Sequence, residues 1–511
     1  MGERTLPALL RFWSRFQPDA VSVADARRAT TWRELDDTAD RLAQAFASHG
    51  VGKGSVVGIL MANCVEYVEV AMGILRAGAI AAPLNTMLTA SELRATVEQA
   101  GIALLVADRK MSERAAVVQD VSPMVICEPG KPDPYATIRS GAAPRSDCDV
   151  DTADDIAFLS YTSGSDGLPK GIALSHRNIR VAALQRLAIE QLGTSSRILL
   201  PSAMAYTGGL IVSFAELTMH SGGRLLIMET FDSDESARII EMHGITHLNI
   251  ASPVLQRLVE SAAVESRDLS SLQSVCIGGA TVSDRTLAAC LDRGIPVAPS
   301  YGQSECAGAA TFLRHPDLVR KFGSCGQSLA CTEIRITDGG GGLSAVGEVG
   351  EIEIRSDAVM LGYWNQPHQT AEAYVDGWLR TGDLGTQDAD GFVTVTGRKK
   401  QMIISGGVNV YPAEIERVFD QLPEIGDLVV LGVPDAQWGQ VPLLIVYPTQ
   451  GANVDAEVVR RHSRLHLAGF KQPKYLVVRE SPFPRTASGK LARAEIVGAY
   501  GSPPSGAIVL K

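Results

Sequence analysis

The sequence predicts an α/β protein: a large N-terminal α/β domain with parallel-sheet layers and a small β subdomain, then a smaller C-terminal α+β domain. Three observations support this. Capped amphipathic helices alternate with short apolar strands over residues 1–110, the pattern of β-α units whose strands run parallel. From 332 to 397 the texture changes to short alternating runs between Gly-rich turns, which predicts the β subdomain. Past Lys400 helix and strand signals return together, enough for one compact module. The expected limits are 1–397 for the large domain, with its β subdomain at about 332–397, a boundary at 398–401, and 402–511 for the small one.

The elements follow in order. Thr31 and Glu34 have the spacing of a capping box, and Leu35, Ala39, Leu42 and Phe46 then share one helical face before Gly50. Val56–Met61 reads as a strand, Val65–Ala77 as a helix closed by Gly78, and Thr89 with Glu92 opens another capped helix before the strand Ile102–Ala107. Residues 129–151 form a polar, Pro-containing connector, and no repeat recurs at a period of 20 to 50 residues. In the β subdomain Glu351–Arg355 and Phe392–Thr396 are the clearest strands, with Gly339–Gly342 a turn.

Composition narrows the function classes. The net charge of −10 disfavours general affinity for nucleic acid or anionic membrane, while leaving room for a local basic cleft. Eight cysteines are scattered without a CxxC pair, so neither a zinc site nor a disulfide framework is expected, and a reducing cytoplasm fits best. The amino-terminal stretch lacks the apolar core and cleavage site of a signal peptide. No window approaches the roughly 20 apolar residues of a membrane span.

The strand-like run Ile156–Ser160 leads into Tyr161-Thr162-Ser163-Gly164-Ser165-Asp166-Gly167-Leu168-Pro169-Lys170-Gly171. Its glycines and hydroxyls can offer N–H and O–H groups to phosphate oxygens, although composition alone also allows an ordinary turn. It is not a Walker A loop, because Lys170 follows a proline. The loop resembles the signature of the superfamily of acyl-CoA synthetases, luciferases and peptide-synthetase adenylation domains. Further segments resemble that family's motifs in order: Gly278-Gly279-Ala280, Tyr301-Gly302-Gln303-Ser304-Glu305, Gly377-Trp378-Leu379-Arg380-Thr381-Gly382-Asp383, Gly397-Arg398-Lys399-Lys400, Gly406-Gly407-Val408-Asn409 and Pro484-Arg485-Thr486-Ala487-Ser488-Gly489-Lys490. Together they span residues 156–490, and the pattern is nearest to fatty or aryl acid CoA ligases.

The resemblance implies a two-step, ATP-dependent reaction. A carboxylic acid becomes an acyl-adenylate with release of pyrophosphate, and the acyl group then passes to coenzyme A, leaving AMP. By resemblance Thr162, Ser163, Gly164, Ser165, Gly167 and Lys170 face the phosphates. Gly279, Ala280, Tyr301, Gly302, Ser304, Asp383 and Arg398 complete the ATP site. Attack of a carboxylate on a phosphate gathers negative charge, so the site needs fixed cations and a metal. Glu305 with Thr162 is expected to hold Mg²⁺, and Lys490 to meet the carboxylate and the α-phosphate. Asp383 would accept the ribose hydroxyls with Arg398 beside it, though Arg398 could serve as an interdomain ion pair. Tyr301 would stack on adenine or serve as a core tyrosine.

The acyl pocket implied is Met204, Tyr206, Gly209, Ser252, Gly278, Ala280, Gly302 and Gly308. This small, uncharged set suggests an apolar acid, whether fatty, aryl or alicyclic. Met204 stands where acyl and aryl ligases of the family often place histidine, and no aspartate is near to pair with an amino-acid ammonium. Asp166 also departs from the pattern. A carboxylate about 4 Å from a phosphate charge would cost on the order of 4 kcal/mol at an effective dielectric near 20, so Asp166 is expected to point away. His176 is expected to be a helix-entry residue rather than a base.

Lys400 falls at the family's hinge, which makes the C-terminal domain a mobile lid. Gly406 and Gly407 would line a coenzyme A tunnel or form a plain turn. An enzyme that loads a carrier-protein phosphopantetheine arm is the alternative, and a homodimer is a further candidate assembly. A nucleotide sensor without chemistry is disfavoured by the intact Glu305, Asp383 and Lys490.

Overall fold

The computed structural model describes residues 5–121, 124–127, 134–140, 152–162, 170–280, 282–485, 491–502 and 506–510. Both capping boxes form: Thr31 caps the helix Trp32–Ser48 with Glu34, and Thr89 caps Ala90–Ala100 with Glu92. Each pairs a hydroxyl with an orphan backbone N–H and a carboxylate with the cap N–H. The amino-terminal apolar stretch is an amphipathic helix, Leu6–Phe16. It buries Leu6, Leu10 and Trp13, and the Trp13 indole donates to the Met219 carbonyl at 2.6 Å.

Among the described residues the strands form four sheets. A seven-stranded sheet runs in the order Gly362–Tyr363, Lys170–Ser175, Ile156–Thr162, Ile80–Pro83, Val56–Leu60, Ile102–Asp108 and Met124–Cys127. Its pairs from Ile156–Thr162 to Met124–Cys127 are parallel. A nine-stranded sheet has the parallel series Val297–Tyr301, Ser274–Gly278, His247–Ala251, Arg197–Leu200, Arg224–Ile227 and Val21–Ala24 at its centre. One core cluster joins the two sheets through the helices Leu6–Phe16, Trp32–Ser48, Val65–Arg76 and Thr207–Thr218. Second clusters cover the outer faces. The expected large α/β domain with parallel layers is thus the observed one.

The third sheet is the β subdomain: Thr332–Thr337, Gly350–Ser356, Trp378–Gln387, Tyr374–Val375 and Val393–Arg398. Gly362–Tyr363, although inside the 332–397 span, leaves this sheet and pairs antiparallel with Lys170–Ser175. The fourth sheet begins at Ile403–Ser405 and is built on the long hairpin Ile425–Asp435 with Gly439–Pro448, which gives the smaller α+β domain its core. The chain passes between the third and fourth sheets through one turn of 3₁₀-helix at Lys399–Gln401. No helix among the described residues is long and apolar enough to cross a membrane.

Candidate active site

The strand Ile156–Thr162 pairs antiparallel with Lys170–Ser175, Thr162 opposite Lys170, so the two strands bracket the Gly/Ser loop. Ser163, Gly164, Ser165, Asp166 and Gly167 lie outside the described residues, as does the side chain of Thr162. Next to this bracket stands Tyr363, brought there by its pairing with Ile172. The Lys170 ammonium lies 5.2 Å from the centre of the Tyr363 ring, a cation–π distance. The Tyr363 hydroxyl donates to Glu305 Oε1 at 3.0 Å. Burial, with the Glu305 charge added, pushes the Tyr363 hydroxyl above its ordinary value, so it stays a donor.

Glu305 follows the strand Val297–Tyr301 in a short 3₁₀ turn, Ser304–Cys306. Its carbonyl accepts from Met360 N at 2.7 Å, which ties the turn to the segment entering Tyr363. Among the described residues no group of three or more His, Cys, Asp or Glu gathers into a metal-binding cluster. Mg²⁺ held beside phosphates keeps waters and takes one or two protein carboxylates rather than a protein cage. The half-buried Glu305 carboxylate, oriented by a neutral donor and flanked by the strand pair that brackets the loop, fits that demand.

Asp383 is a second focus. It is 5 % exposed, in the strand Trp378–Gln387. Its Oδ2 accepts from the Tyr301 hydroxyl at 2.9 Å and from Gln303 Nε2 at 2.6 Å, and Arg398 Nε lies 3.1 Å from its Oδ1. Gln303 also donates to the Thr381 carbonyl at 2.9 Å. An ionised carboxylate has about four lone-pair sites, so further donors can still be accepted. Burial, reinforced by Asp383, pushes the Tyr301 hydroxyl well above its usual range, which fixes it as a donor. Tyr301, Asp383 and Arg398, which the resemblance assigns to the ATP site, lie together here. Gln303, between the motif's named positions, gave no sequence signal, because its partner is 80 residues away.

Ser304 joins the two halves of the site. Its hydroxyl lies 2.6 Å from that of Thr207, which lies 2.7 Å from that of Ser160. This relay of hydroxyls connects the strand entering the loop, the start of the helix Thr207–Thr218 and the Glu305 turn. The helix is wound as a π-helix. Ser213 donates to the Gly208 carbonyl and Thr218 to the Ser213 carbonyl, both five residues back, and these side-chain bonds suit the wide winding.

Of the acyl-pocket candidates, Met204 and Tyr206 lead into this helix, Gly209 belongs to it and Gly308 faces Val212 on it. Met204 is fully buried, and its N–H donates to Asn63 Oδ1 at 2.8 Å. Asn63 in turn donates to the Ser202 and Met228 carbonyls. Asn63 therefore pins the segment, a role the motifs did not indicate. Tyr206 is half-buried, and burial pushes its hydroxyl up to about 12. A Cβ on Gly209 would stand 2.4 Å from the Ala203 carbonyl, so Gly209 packs against backbone. Ser252 donates to the Ala280 carbonyl at 2.7 Å, and Gly279 and Ala280 are exposed beyond the strand end at Gly278. A Cβ on Gly278 would press on Ser300 Oγ at 3.1 Å, while one on Gly302 would stand 1.9 Å from the Gly308 carbonyl oxygen. Only glycine permits that approach.

Where the chain leaves the third sheet, Lys399 donates to Glu351 at 2.8 Å and Arg380 to the same oxygen at 3.0 Å. Burial pushes the Glu351 carboxyl up, and the two cations more than offset it, leaving it below its ordinary value. Lys400 sits within the 3₁₀ turn. Gly406 and Gly407, at φ +58° and +80°, form the two-residue turn between Ile403–Ser405 and Val408–Val410, as a tight hairpin requires. A Cβ on Gly406 would strike Trp438 at 2.7 Å, whereas none of the described residues lies within 4 Å of one on Gly407. Lys490 lies outside the described residues; Arg485 and Leu491 on either side of its motif form an antiparallel bridge. His176 opens the helix His176–Ile189 and accepts from Leu6 N at 3.3 Å, the structural place expected of it.

Known proteins share this fold. The AMP-binding enzyme family profile matches residues 10–364, and the profile of the AMP-binding enzyme C-terminal domain matches residues 414–490. A feruloyl-CoA synthase from Amycolatopsis sp. is 32% identical over 489 residues, covering 96% of this chain and 97% of the relative. An indoleacetate–CoA ligase from Aromatoleum aromaticum is 31% identical over 487 residues, covering 94% and 95%. The o-succinylbenzoate CoA synthetase of Bacillus subtilis, solved with its acyl-adenylate intermediate, superposes with a TM-score of 0.86 at 27% identity, covering 96% and 97%. The same synthetase has been solved with ATP and a magnesium ion. The chain therefore belongs to the AMP-binding, adenylate-forming enzyme family, as an AMP-forming acid–thiol ligase of the acyl-CoA synthetase type that uses ATP, Mg²⁺ and coenzyme A.

Proposed function

We propose that the acid this ligase activates has an apolar body, fatty, aryl or alicyclic, and that the residues above take the roles their placement supports. The observation behind the site reading is the convergence on one turn, Tyr301–Glu305, of two networks: Tyr301 and Gln303 on Asp383, and Tyr363, beside Lys170, on Glu305. The first suits a nucleoside, the second a phosphate chain. Asp383, held in orientation by two neutral donors and Arg398, accepts the ribose hydroxyls in this reading. The Glu305 carboxylate, with Thr162, would hold Mg²⁺, whose contribution is to neutralise charge on the phosphates. The Ser160–Thr207–Ser304 relay keeps the loop strand and the acyl-side helix in register.

The acid reading is supported by the uncharged candidates around Thr207–Thr218, with Met204 where a histidine is common in the family. The names of the feruloyl and indoleacetate relatives favour an aryl body. Free coenzyme A is the acceptor in this reading, with a carrier-protein arm as the rival. The described cysteines are all unbridged, which favours a cytoplasmic protein.

The test separates the half-reactions. Lys490→Ala should lower ATP–pyrophosphate exchange at least about 10²-fold, the scale of one lost transition-state stabiliser. It should still convert supplied acyl-adenylate and coenzyme A into thioester. Gly407→Leu should show the opposite defect. Its φ of +80° strains leucine, so Gly407→Asn, which tolerates that backbone, accompanies it. Loss of the same half-reaction in the lysine and glycine variants would defeat the assignment of Lys490 to adenylation and Gly407 to thioester formation. Activity with amino acids equal to that with uncharged acids would defeat the substrate reading.

A further inference from the structure

One buried carboxyl has no place in the chemistry so far. Glu216, on the π-helix Thr207–Thr218, is 0 % exposed, and neither of its side-chain oxygens has a hydrogen-bond partner. Burial pushes its carboxyl well above the ordinary value; Arg186 opposes this and Glu190 adds to it. Arg186 makes its ion pair with Glu190, at 2.6 Å, and Glu190 also accepts from Ser274 at 3.0 Å. Arg186 Nη2 is itself without a partner, yet no ion pair joins Arg186 to Glu216. A carboxyl buried without a hydrogen bond or an ion pair favours its neutral form, which carries an unused donor and an unused acceptor.

Its position gives those groups a direction. A Cβ built on Gly308 would stand 2.9 Å from Val212 Cγ2 and 4.0 Å from Glu216 Oε2, so both side chains face that glycine. Thr207, Val212 and Glu216, five and four residues apart, lie on one side of the wide helix. Thr207 meets Ser304 beside the ATP-site turn, and Glu216 lies nine residues further along. At a helical rise of no more than about 1.5 Å per residue, the two are separated by at most about 14 Å along the axis. An acid with its carboxylate near Ser304 would point its far end toward Glu216.

We propose that Glu216 is a specificity-determining residue that exchanges a pair of hydrogen bonds with a neutral hydroxyl at the end of the acyl group remote from its carboxylate. The preferred substrate is then an acid with an apolar body and a distal hydroxyl. This rests on the reading of Gly302 and Gly308 as part of the acyl-pocket wall. A neutral carboxylic acid presents one donor and one acceptor side by side, and a hydroxyl presents the same. A wholly apolar terminus would leave Glu216 unsatisfied, and a cationic one would require it to ionise in a buried site.

The test uses the full chain with ATP and Mg²⁺ and measures pyrophosphate release for matched acids. These are cinnamic against 4-hydroxycinnamic acid, and straight-chain acids of increasing length with and without a terminal hydroxyl. The wild type should favour the hydroxylated member by at least about 10²-fold in kcat/KM, with the preference peaking at one length. Glu216→Met, apolar and of similar length, should bring the ratio to about 1. Glu216→Gln, which keeps a donor and an acceptor, should retain a preference. No hydroxyl preference at any length, or an unchanged ratio in Glu216→Met, would overturn the proposal. If the methionine variant does not fold, the wild-type and glutamine ratios decide by the same criterion. Gly308→Ala separates the two readings. If it leaves the acid-length profile unchanged, the pocket wall is misplaced; if it shifts the profile while Glu216→Met keeps the wild-type ratio, only the role of Glu216 falls.

Discussion

Tyr363→Phe removes one hydrogen bond and little else. The Tyr363 hydroxyl donates to Glu305 Oε1 at 3.0 Å, and its ring lies 5.2 Å from the Lys170 ammonium; phenylalanine keeps the ring and loses the donor. A hydrogen bond to a charged group contributes about 1.5–3 kcal/mol. Glu305 is half-buried and can regain water, so the lower part of that range applies, roughly a 10- to 30-fold effect. The loss should fall on the step that needs Glu305 oriented toward the phosphates. ATP–pyrophosphate exchange should drop by that factor, with a higher Mg²⁺ requirement partly restored by excess metal. Thioester formation from supplied acyl-adenylate should stay near the wild-type rate. Exchange at the wild-type rate with unchanged Mg²⁺ dependence would refute the reasoning, and so would equal loss in both half-reactions.

Asp383→Asn takes the ionised acceptor away from Tyr301, Gln303 and Arg398, and should raise the Kd for ATP about 10²-fold by calorimetry. Unchanged ATP affinity would detach Asp383 from the ribose. Gly302→Ala places a methyl 1.9 Å from the Gly308 carbonyl oxygen, and overpacking of this kind costs roughly 1–3 kcal/mol or more. Its thermal midpoint should fall, and an unchanged midpoint would mean that the loop yields freely. Burial raises the folded Glu216 above its ordinary value of 4.5. Its stabilising contribution is therefore complete below that pH and is lost as pH rises, by up to about 1.4 kcal/mol per pH unit until the folded carboxyl ionises. Denaturant midpoints of Glu216→Gln and wild type should separate in the variant's favour with rising pH; parallel curves would contradict a neutral Glu216.

What the sequence revealed was local or motif-borne. Thr31 with Glu34 and Thr89 with Glu92 announce their helices because a capping box is complete within four residues. Parallel layering followed from alternation of strand and helix, while the order of strands needed contacts far apart in sequence. Gly362–Tyr363 shows the limit: its own residues look like the β subdomain around it, yet its partner strand is Lys170–Ser175. In the site, Tyr301, Glu305 and Asp383 belong to recognisable segments, whereas Gln303, Tyr363 and Asn63 matter only through distant partners. Glu216 was hidden for another reason. A glutamate in a helix ordinarily reads as a solvated side chain, and nothing local distinguishes this one from a surface residue.

The close approach of Gly302 to Gly308 has a consequence for how such an enzyme could acquire a new substrate. At Gly302 main chain faces main chain, so the contour there is set by backbone and cannot be filled by exchanging that residue. Directed evolution aimed at Gly302 would mostly recover unfolded clones. The opposite bank, the helix Thr207–Thr218 and the Met204–Tyr206 segment before it, presents replaceable side chains on a wide, internally tethered coil. A saturation library at Met204, Tyr206, Val212 and Glu216 is therefore where altered acid selectivity should emerge while adenylation machinery persists.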